Sequence, residues 1–419
     1  MVNSSMHPVS RTILIVWEHG GHLGHLGRLL PIAEALRASG HKVVLAVPDL
    51  PAVAAIVDGA GFALELLPAG VFRMAQPKKS GSISHAEVLL HSGFADAQHA
   101  ALAVRAWHSL FDRVRPDAVL VDASPLAHYA ARCAGLRAQV ISHGFDLPPH
   151  GTKPCFAPWR AGVQQRMQAS AEELQAAFDA LASALKPALG NRVPQDLDDL
   201  FRPQDGLLCT WPELDHFDRP EHRDGGGAQY LGPVWGDLTN AARTGDWPVT
   251  DPITRRPKVL CYLYLHNANP YALVLQSLVQ QGADVLVVAP GASGPLCESM
   301  QTANVQVIGQ AVALEPLIAE CDAVVCHGGA GTVSMALHAG KPLLLLPRYL
   351  EHVVLAQSLW IRKLAAATVR LREAAIVTDH VAQLLTGPIL RPGALQFAAR
   401  YTGYRPKTAV QAVVRRLVG

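Results

Sequence analysis

Long apolar runs, paired cysteines and an excess of charge of either sign are all missing from this sequence of 419 residues. No apolar run reaches the roughly 18 residues of a membrane-spanning helix, and the opening MVNSSMHPVSR lacks the charged and apolar regions of a secretory signal. The seven cysteines form no C-x-x-C pair, which favours reduced thiols. A net charge of +2 gives no basic footprint for nucleic acid. We therefore expect a soluble cytoplasmic protein, while peripheral membrane contact and oligomeric state stay open.

Short apolar runs alternate with helix-period segments through both halves of the chain. The runs lie at 12–17, 42–47, 117–122 and 138–142, and then at 257–265, 283–290, 305–309, 322–327 and 341–347. Their continuous hydrophobicity is typical of parallel strands covered on both faces. Two such halves predict two doubly wound, Rossmann-like α/β domains. A segment rich in Pro, Gly and Asp places the hinge near 232–245, so we predict domains at 1–235 and 236–395 and a helical segment at 396–419 that packs back on the first domain.

Two stretches have the spacing of a known family. GHLGRLLPIAEALRASGHKV (24–43) carries two Gly-His pairs, and DAVVCHGGAGTVSMALHAGKPLLLLP (322–347) has a strand, a His-Gly-Gly-x-Gly-Thr turn, a helix and Gly-x-Pro before the next strand. With YLGPV at 230–234, they resemble the bacterial branch of the family 1 nucleotide-sugar-dependent glycosyltransferases, which are UDP-glycosyltransferase-like enzymes. The resemblance implies the GT-B fold, with two Rossmann-like domains facing each other across a cleft. It also implies that the acceptor binds the first domain and the donor the second.

The turn HGGAGT ends an apolar strand and opens a helix. Its candidate donor-binding residues are His327, Gly328, Gly329, Gly331 and Thr332. The first N–H groups of a helix lack intrahelical partners and carry partial positive charge, so they form an anion site. Glycines allow close approach of a phosphate, the threonine adds a hydroxyl donor and the histidine a ring N–H. We predict diphosphate binding here; the alternative is a tight turn whose glycines serve packing alone.

The resemblance implies three further donor contacts. Glu351 matches an acidic residue that holds sugar hydroxyls, although a surface Glu-His pair at a helix start is the alternative. His352 replaces the usual glutamine and offers one donor where the amide offers donors and acceptors. Val312 would offer backbone groups to the base, which leaves a UDP- or a dTDP-linked donor open. Leu355 replaces an asparagine, and CYLYLHNANP (261–270) lacks the usual turn glycine.

The stretch WEHGGHLGHLGRLLP (17–31) holds three histidines after the first strand, His19, His22 and His25. An attacking hydroxyl must lose its proton, and histidine is a base near neutral pH. The resemblance assigns the base to His25 and its partner carboxylate to Asp122, which ends a parallel strand whose carboxyl end lies at the same edge of the sheet. The alternatives are that His25 binds phosphate or backbone, that Asp122 caps the next helix, or that the three histidines bind a metal.

We expect His19, His22 and Phe145 on the acceptor side. The predicted activity is an inverting, metal-independent, hexosyltransferase-like transfer from a nucleoside-diphosphate sugar to a hydroxyl of a small-molecule or lipid acceptor, with no cofactor beyond the donor. The segment DLD at 196–198 lacks the strand that precedes a metal-binding DxD motif, so we predict a helix start there. A non-catalytic nucleotide-sugar-binding or regulatory protein of the same fold is the first alternative, and a nucleotide-sugar epimerase is the second.

Overall fold

The computed structural model describes residues 10–20, 23–69, 81–189, 192–219, 227–236, 246–248, 255–265 and 269–419. The chain divides into two compact units, each with its own parallel sheet and core. The first unit comprises residues 1–209, 217–234 and 406–419, and the second comprises residues 210–216 and 235–405.

The first unit is built on a seven-stranded parallel sheet. Its strands are β1 (Thr12–Trp17), β2 (Lys42–Val47), β3 (Glu65–Pro68), β4 (Ala118–Asp122), β5 (Ala138–Ser142), β6 (Gly206–Leu208) and β7 (Gln229–Tyr230). They lie in the order β3-β2-β1-β4-β5-β6-β7. The four strands predicted for this half are confirmed, and they form the centre of the sheet. β3, β6 and β7 were not predicted, because they are only two to four residues long.

Helices cover both faces of this sheet, as its buried central strands require. They are α1 (Leu23–Ala38), α2 (Leu50–Gly59), α3 (His85–Leu89), α4 (Ala97–Val114), α5 (Pro125–Cys133), α6 (Val163–Leu189) and α7 (Leu197–Leu200). α1 follows β1 and buries one face rich in leucine. α5 follows β4 directly, with Pro125 at its first position, where the missing N–H costs little.

The second unit has a six-stranded parallel sheet in the order β10-β9-β8-β11-β12-β13. Its strands are β8 (Lys258–Tyr262), β9 (Asp284–Val288), β10 (Val305–Ile308), β11 (Ala323–Cys326), β12 (Leu343–Leu345) and β13 (Ala365–Ala367). Its helices are α8 (Ala272–Gln280), α9 (Gly294–Met300), α10 (Leu314–Glu320), α11 (Ala330–His338), α12 (Leu350–Ile361), α13 (Ala374–Thr386) and α14 (Leu390–Arg400). The five predicted strands are confirmed, and β13 was missed because its three alanines are a weak strand signal.

The last helix, α15 (Pro406–Val418), belongs to the first unit and packs against α1 and β4. The predicted division at 395/396 falls inside α14, whereas the second unit extends to Arg405. Residues 210–216 also cluster with the second unit, because the ring of Trp211 stacks on Tyr401 at a centroid distance of 4.4 Å. None of the helices in the described ranges is long and apolar enough to cross a membrane.

Candidate active site

His25 and Asp122 meet at the carboxyl edge of the first sheet. Trp17 ends β1 and pairs in register with Asp122, the last residue of β4. The Trp17 ring stacks on His25 in the first turn of α1, with centroids 4.9 Å apart. His25 Nδ1 lies 3.1 Å from Asp122 Oδ2. In the neutral ring, Nδ1–H therefore donates to the carboxylate and Nε2 keeps the lone pair that accepts a proton.

The carboxylate of Asp122 is fully buried. Burial alone raises its pKa, but the positive charge of Arg28 and the neighbouring His25 outweigh it and hold the pKa of Asp122 below its usual range. Ala123 follows in a left-handed conformation, with φ +45°, and turns the chain toward α5. The residue before α5 is Ser124, and both carboxylate oxygens of Asp122 are engaged by His25 and Arg28. Asp122 is therefore not the cap of that helix.

Arg28 is a member of this cluster that the sequence prediction missed. It lies one turn after His25 on α1 and is 1% exposed. Its Nη2 donates to Asp122 Oδ1, and its Nη1 donates to His143 Nδ1 at 2.6 Å. The sequence did contain one indication of this role: Arg28 lies on the leucine-rich face of α1, where a charged side chain needs a buried partner.

Opposing effects act on the pKa of His25. Burial lowers it, but the charge and hydrogen bond of Asp122 outweigh burial, so the pKa of His25 is raised. His19 differs, because burial and the nearby His25 lower its pKa to about 4. Within the part of the chain that the structure describes, His19 Nε2 has no hydrogen-bond partner. His22 lies outside the described residues.

Gly20 lies against the proton-accepting nitrogen of His25. Its φ of +92° is left-handed, and a Cβ built on it would lie 2.7 Å from His25 Nε2. Any side chain at position 20 would thus cover this nitrogen. Glycine is required here both for the backbone conformation and for access to the ring.

Phe145 packs in a cluster of aromatic rings and is 9% exposed. Its ring contacts His85, Phe156 and Phe217, with centroids 5.6–6.4 Å apart. His85 Nε2 lies 2.8 Å from the Phe145 carbonyl oxygen. The cluster anchors the loop after β5, the same loop that carries His143 to Arg28.

The turn between β11 and α11 leaves open space beside two of its glycines. Gly328 has φ +97°, a conformation that favours glycine. A Cβ added to Gly329 or Gly331 would meet no heavy atom within 4 Å. The N–H of Val333 bonds to the carbonyl of Gly329, so the preceding N–H groups of the helix have no intrahelical partner. Thr332 is buried in the first turn.

The ring of His327 does not have the role predicted from the sequence. Its Nε2 accepts the backbone N–H of Tyr264 at 2.8 Å, and its Nδ1 lies 3.0 Å from the Leu346 carbonyl oxygen. β11 runs between β8 and β12, so a side chain at its end reaches the backbone that follows both neighbours. The expectation of a ring N–H directed to phosphate is corrected: both ring nitrogens bond to backbone.

The start of α12 lies beside this turn. The rings of His352 and His327 are parallel within 9°, with centroids 6.4 Å apart. Glu351 is partly exposed, and its Oε1 lies 3.9 Å from His216 Nε2. Leu355 is fully buried in the core, which explains an apolar residue at that position.

Val312, the residue predicted to contact the base, is also buried, in the core cluster that contains Ala330 of α11.

Arg348, which the sequence prediction did not include, lies over the ring of Tyr264, 4.5 Å from the centroid of that ring. His266 and Asn267 of the glycine-free stretch lie outside the described residues.

The DLD segment at 196–198 is a helix start, as predicted. Asp196 precedes α7, and its Oδ1 accepts the N–H of Asp199 at 2.7 Å. Across the ranges that the structure describes, no three His, Cys, Asp or Glu side chains are grouped as metal ligands.

Similarity to known proteins extends over most of the chain. Residues 272–417 match the family described as Erythromycin biosynthesis protein CIII-like, C-terminal domain. An L-demethylnoviosyl transferase from Streptomyces niveus is 27% identical over 354 residues, which cover 80% of each chain. Among solved structures, the glycotransferase of kitacinnamycin has a TM-score of 0.68 at 21% identity and covers 98% of this chain and 100% of its own.

Two further structures are similar at 19–20% identity. The spinosyn rhamnosyltransferase SpnG complexed with thymidine diphosphate has a TM-score of 0.64 and covers 96% of this chain and 99% of its own. The glycosyltransferase SnogD from Streptomyces nogalater has a TM-score of 0.62 and covers 97% of this chain and 99% of its own. The protein therefore has the GT-B fold, and its relatives in sequence and in structure are bacterial glycosyltransferases.

Proposed function

We propose that the protein is a glycosyltransferase that moves a sugar from a nucleoside-diphosphate sugar to a hydroxyl group of a small-molecule acceptor. The observation that carries the proposal is the His25–Asp122 pair, in which Nδ1 is bonded to the buried carboxylate and Nε2 faces Gly20. This is the arrangement of a general base whose tautomer is set by a carboxylate.

The proposed reaction is a single displacement with inversion. The acceptor hydroxyl gives its proton to His25 Nε2, and its oxygen forms a bond to the anomeric carbon of the donor. The bond from that carbon to the diphosphate oxygen breaks, and its electron pair leaves with the nucleoside diphosphate. Asp122 stabilises the imidazolium that forms at His25 and does not itself take the proton.

The donor side of the proposal uses the turn at 327–332 and the start of α12. The open space beside Gly329 and Gly331 suits the diphosphate, and the positive end of α11 stabilises its charge without a metal ion. Glu351, at the start of α12, would hold sugar hydroxyls, with His352 beside it. Backbone groups near Val312 would contact the base.

The relatives favour one donor and one acceptor class. SpnG was solved with thymidine diphosphate, and the structurally similar glycosyltransferase VinC was solved with dTDP, which favours a dTDP-linked sugar over a UDP-linked one. SpnG was also solved with a spinosyn aglycone, which favours a small-molecule aglycone as acceptor. A cytoplasmic location belongs to the same proposal, because all seven cysteines are free thiols.

The second candidate is a protein that binds nucleotide sugars without transferring them. It is favoured by the His327 ring, whose nitrogens both bond to backbone, and by His352 in place of glutamine. Incubation of the protein with dTDP-glucose or dTDP-rhamnose, with and without a panel of aglycones, separates the two. Transferase activity predicts acceptor-dependent release of dTDP and a product of inverted anomeric configuration by NMR. Calorimetric binding of the donor without any release of dTDP would favour the binding protein.

A further inference from the structure

A buried positive charge lies against the His25–Asp122 pair. Arg28 is 1% exposed and Asp122 is fully buried. Removing a guanidinium from water is costly, and the cost is offset only where its partners are close and well aligned. Leu26, Leu29 and Leu30 surround Arg28 in sequence and are buried on the same helix. A leucine at position 28 would avoid the desolvation cost, so packing alone does not explain an arginine.

Arg28 and His25 bind the two oxygens of one carboxylate. Arg28 Nη2 donates to Asp122 Oδ1, and His25 Nδ1 lies against Oδ2. Both partners stand on α1, one turn apart on the same face of the helix. The carboxylate cannot rotate toward one partner without weakening its contact with the other. Its plane relative to the His25 ring is therefore set by α1.

His143 holds the other end of the guanidinium. Arg28 Nη1 donates to His143 Nδ1 at 2.6 Å, so this nitrogen is the unprotonated one. In the part of the chain described, Arg28 Nε has no hydrogen-bond partner. The fork of Arg28 thus bridges the end of β4 and the loop after β5, which a lysine cannot do with a single ammonium group.

The charges of Arg28 and Asp122 largely cancel. His25 accordingly faces an ion pair and not an isolated buried carboxylate. Among the residues that the structure describes, the ionisable groups that act on His25 and on its two partners are Asp122, Arg28, Asp146, His19, His143 and Cys209. Burial and the charge of Asp122 raise the pKa of Asp146. Burial raises the pKa of Cys209 to about 12, so its thiol is neutral.

We propose that Arg28 is a positioning residue that fixes the Asp122 carboxylate against His25 and offsets part of its charge, so that His25 can act as a base near neutral pH. The catalytic consequence rests on the proposed function; the effect on His25 does not. Asp122 raises the pKa of His25, whereas Arg28 lowers it. Loss of Arg28 should raise the pKa of His25 further, which would keep the imidazole protonated and unable to accept a proton at pH 7.

The experiment is a titration of His25 in the free protein by histidine Cε1–H NMR, with the resonance assigned through His25→Gln. Arg28→Met should move the midpoint to higher pH by about 1 pH unit. Arg37→Met is the matched control, because Arg37 lies on α1 with an exposed side chain paired to Glu34; its midpoint should equal that of the wild type. An unchanged or lower midpoint in Arg28→Met would overturn the inference.

Arg28→Lys provides the test if Arg28→Met does not fold. The lysine keeps the charge but cannot bond to both Asp122 and His143. It should keep the His25 midpoint near that of the wild type and lower kcat, with KM for the donor unchanged. A lysine variant with wild-type kcat would overturn the positioning role.

Transfer measurements separate this inference from the proposed function. Arg28→Met should lower kcat with a dTDP-sugar by up to about 10-fold at pH 7 and recover part of the loss as the pH rises. If the wild type transfers no sugar but the midpoint moves, the proposed function fails and the effect of Arg28 on the pair stands. If the wild type transfers sugar and the midpoint does not move, only the inference about Arg28 fails.

Discussion

His25 Nδ1 lies 3.1 Å from Asp122 Oδ2, although the two residues are 97 positions apart in the sequence. The neighbouring parallel strands β1 and β4 bring them together, because Trp17 and Asp122 end these strands in register. His19 follows the same strand, but its pKa is lowered to about 4, mainly by burial.

His25→Ala should lower kcat by ~10²–10⁴-fold, the usual contribution of a general base. The dissociation constant for dTDP should not change, because we assign the donor to residues of the second unit. His19→Ala serves as the comparison and should mainly change KM for the acceptor. Steady-state kinetics of both variants with one dTDP-sugar make the measurement. If His19→Ala lowers kcat as much as His25→Ala does, the assignment of His25 as the general base is wrong.

Gly20→Ala should lower kcat strongly, because the added Cβ would lie 2.7 Å from His25 Nε2. Gly40→Ala is the matched control: Gly40 has a similar φ of +84°, but a Cβ there meets no atom within 4 Å. Both variants carry the same kind of backbone strain. Only the first should lose activity beyond its loss of thermal stability. Equal kcat in the two variants would contradict the assignment of Nε2 as the proton acceptor.

Gly329→Val and Gly331→Val should each abolish dTDP binding by isothermal titration calorimetry while the protein stays folded. The added side chains enter the space that we assign to the diphosphate. Gly294→Val, at the start of α9, is a control with equally open surroundings and should bind dTDP normally. If the variants of Gly329 and Gly331 bind dTDP with unchanged affinity, the assignment of the donor site to this turn is wrong.

Turnover should survive EDTA, because the proposed mechanism stabilises the departing diphosphate by the N-terminus of α11. The measurement is dTDP release before and after chelation. Activity that is lost with EDTA and restored by Mg²⁺ or Mn²⁺ would contradict the metal-independent mechanism.

Glu18 should make a contribution to the free energy of unfolding that falls as the pH rises from about 5 to about 8. Glu18 accepts a hydrogen bond from Trp107 Nε1 at 2.6 Å, and burial raises its pKa to about 8. An acid with a raised pKa in the folded state is protonated there while the unfolded chain is already ionised. The folded state is therefore penalised progressively between the two pKa values, by a total on the order of 4 kcal/mol. Urea denaturation at several pH values measures this contribution as the difference between Glu18→Gln and the wild type, which should grow in favour of the variant as the pH rises. A difference that does not change with pH would contradict the assignment.

The sheet centres could be predicted from the sequence pattern, and the His25–Asp122 contact from the family resemblance together with the position of the two strand ends, whereas several contacts around the sites could not. Continuous apolar runs identify buried parallel strands, and parallel strands bring their carboxyl ends to one edge. Arg28 was missed because its partners, Asp122 and His143, lie on β4 and in the loop after β5. The residues next to Arg28 in the sequence give no indication of these distant contacts. The ring bonds of His327 were missed for a similar reason, since both are made with backbone after neighbouring strands.

The most direct test of the central claim is a double-mutant cycle on kcat for transfer from a dTDP-sugar, with His25→Ala, Asp122→Asn and the double variant. If Asp122 acts only through the His25 imidazole, Asp122→Asn should cost no more than His25→Ala, and the double variant should be little worse than His25→Ala alone. If the two losses multiply, His25 and Asp122 do not act as one unit, and the assignment of the base and its partner is wrong.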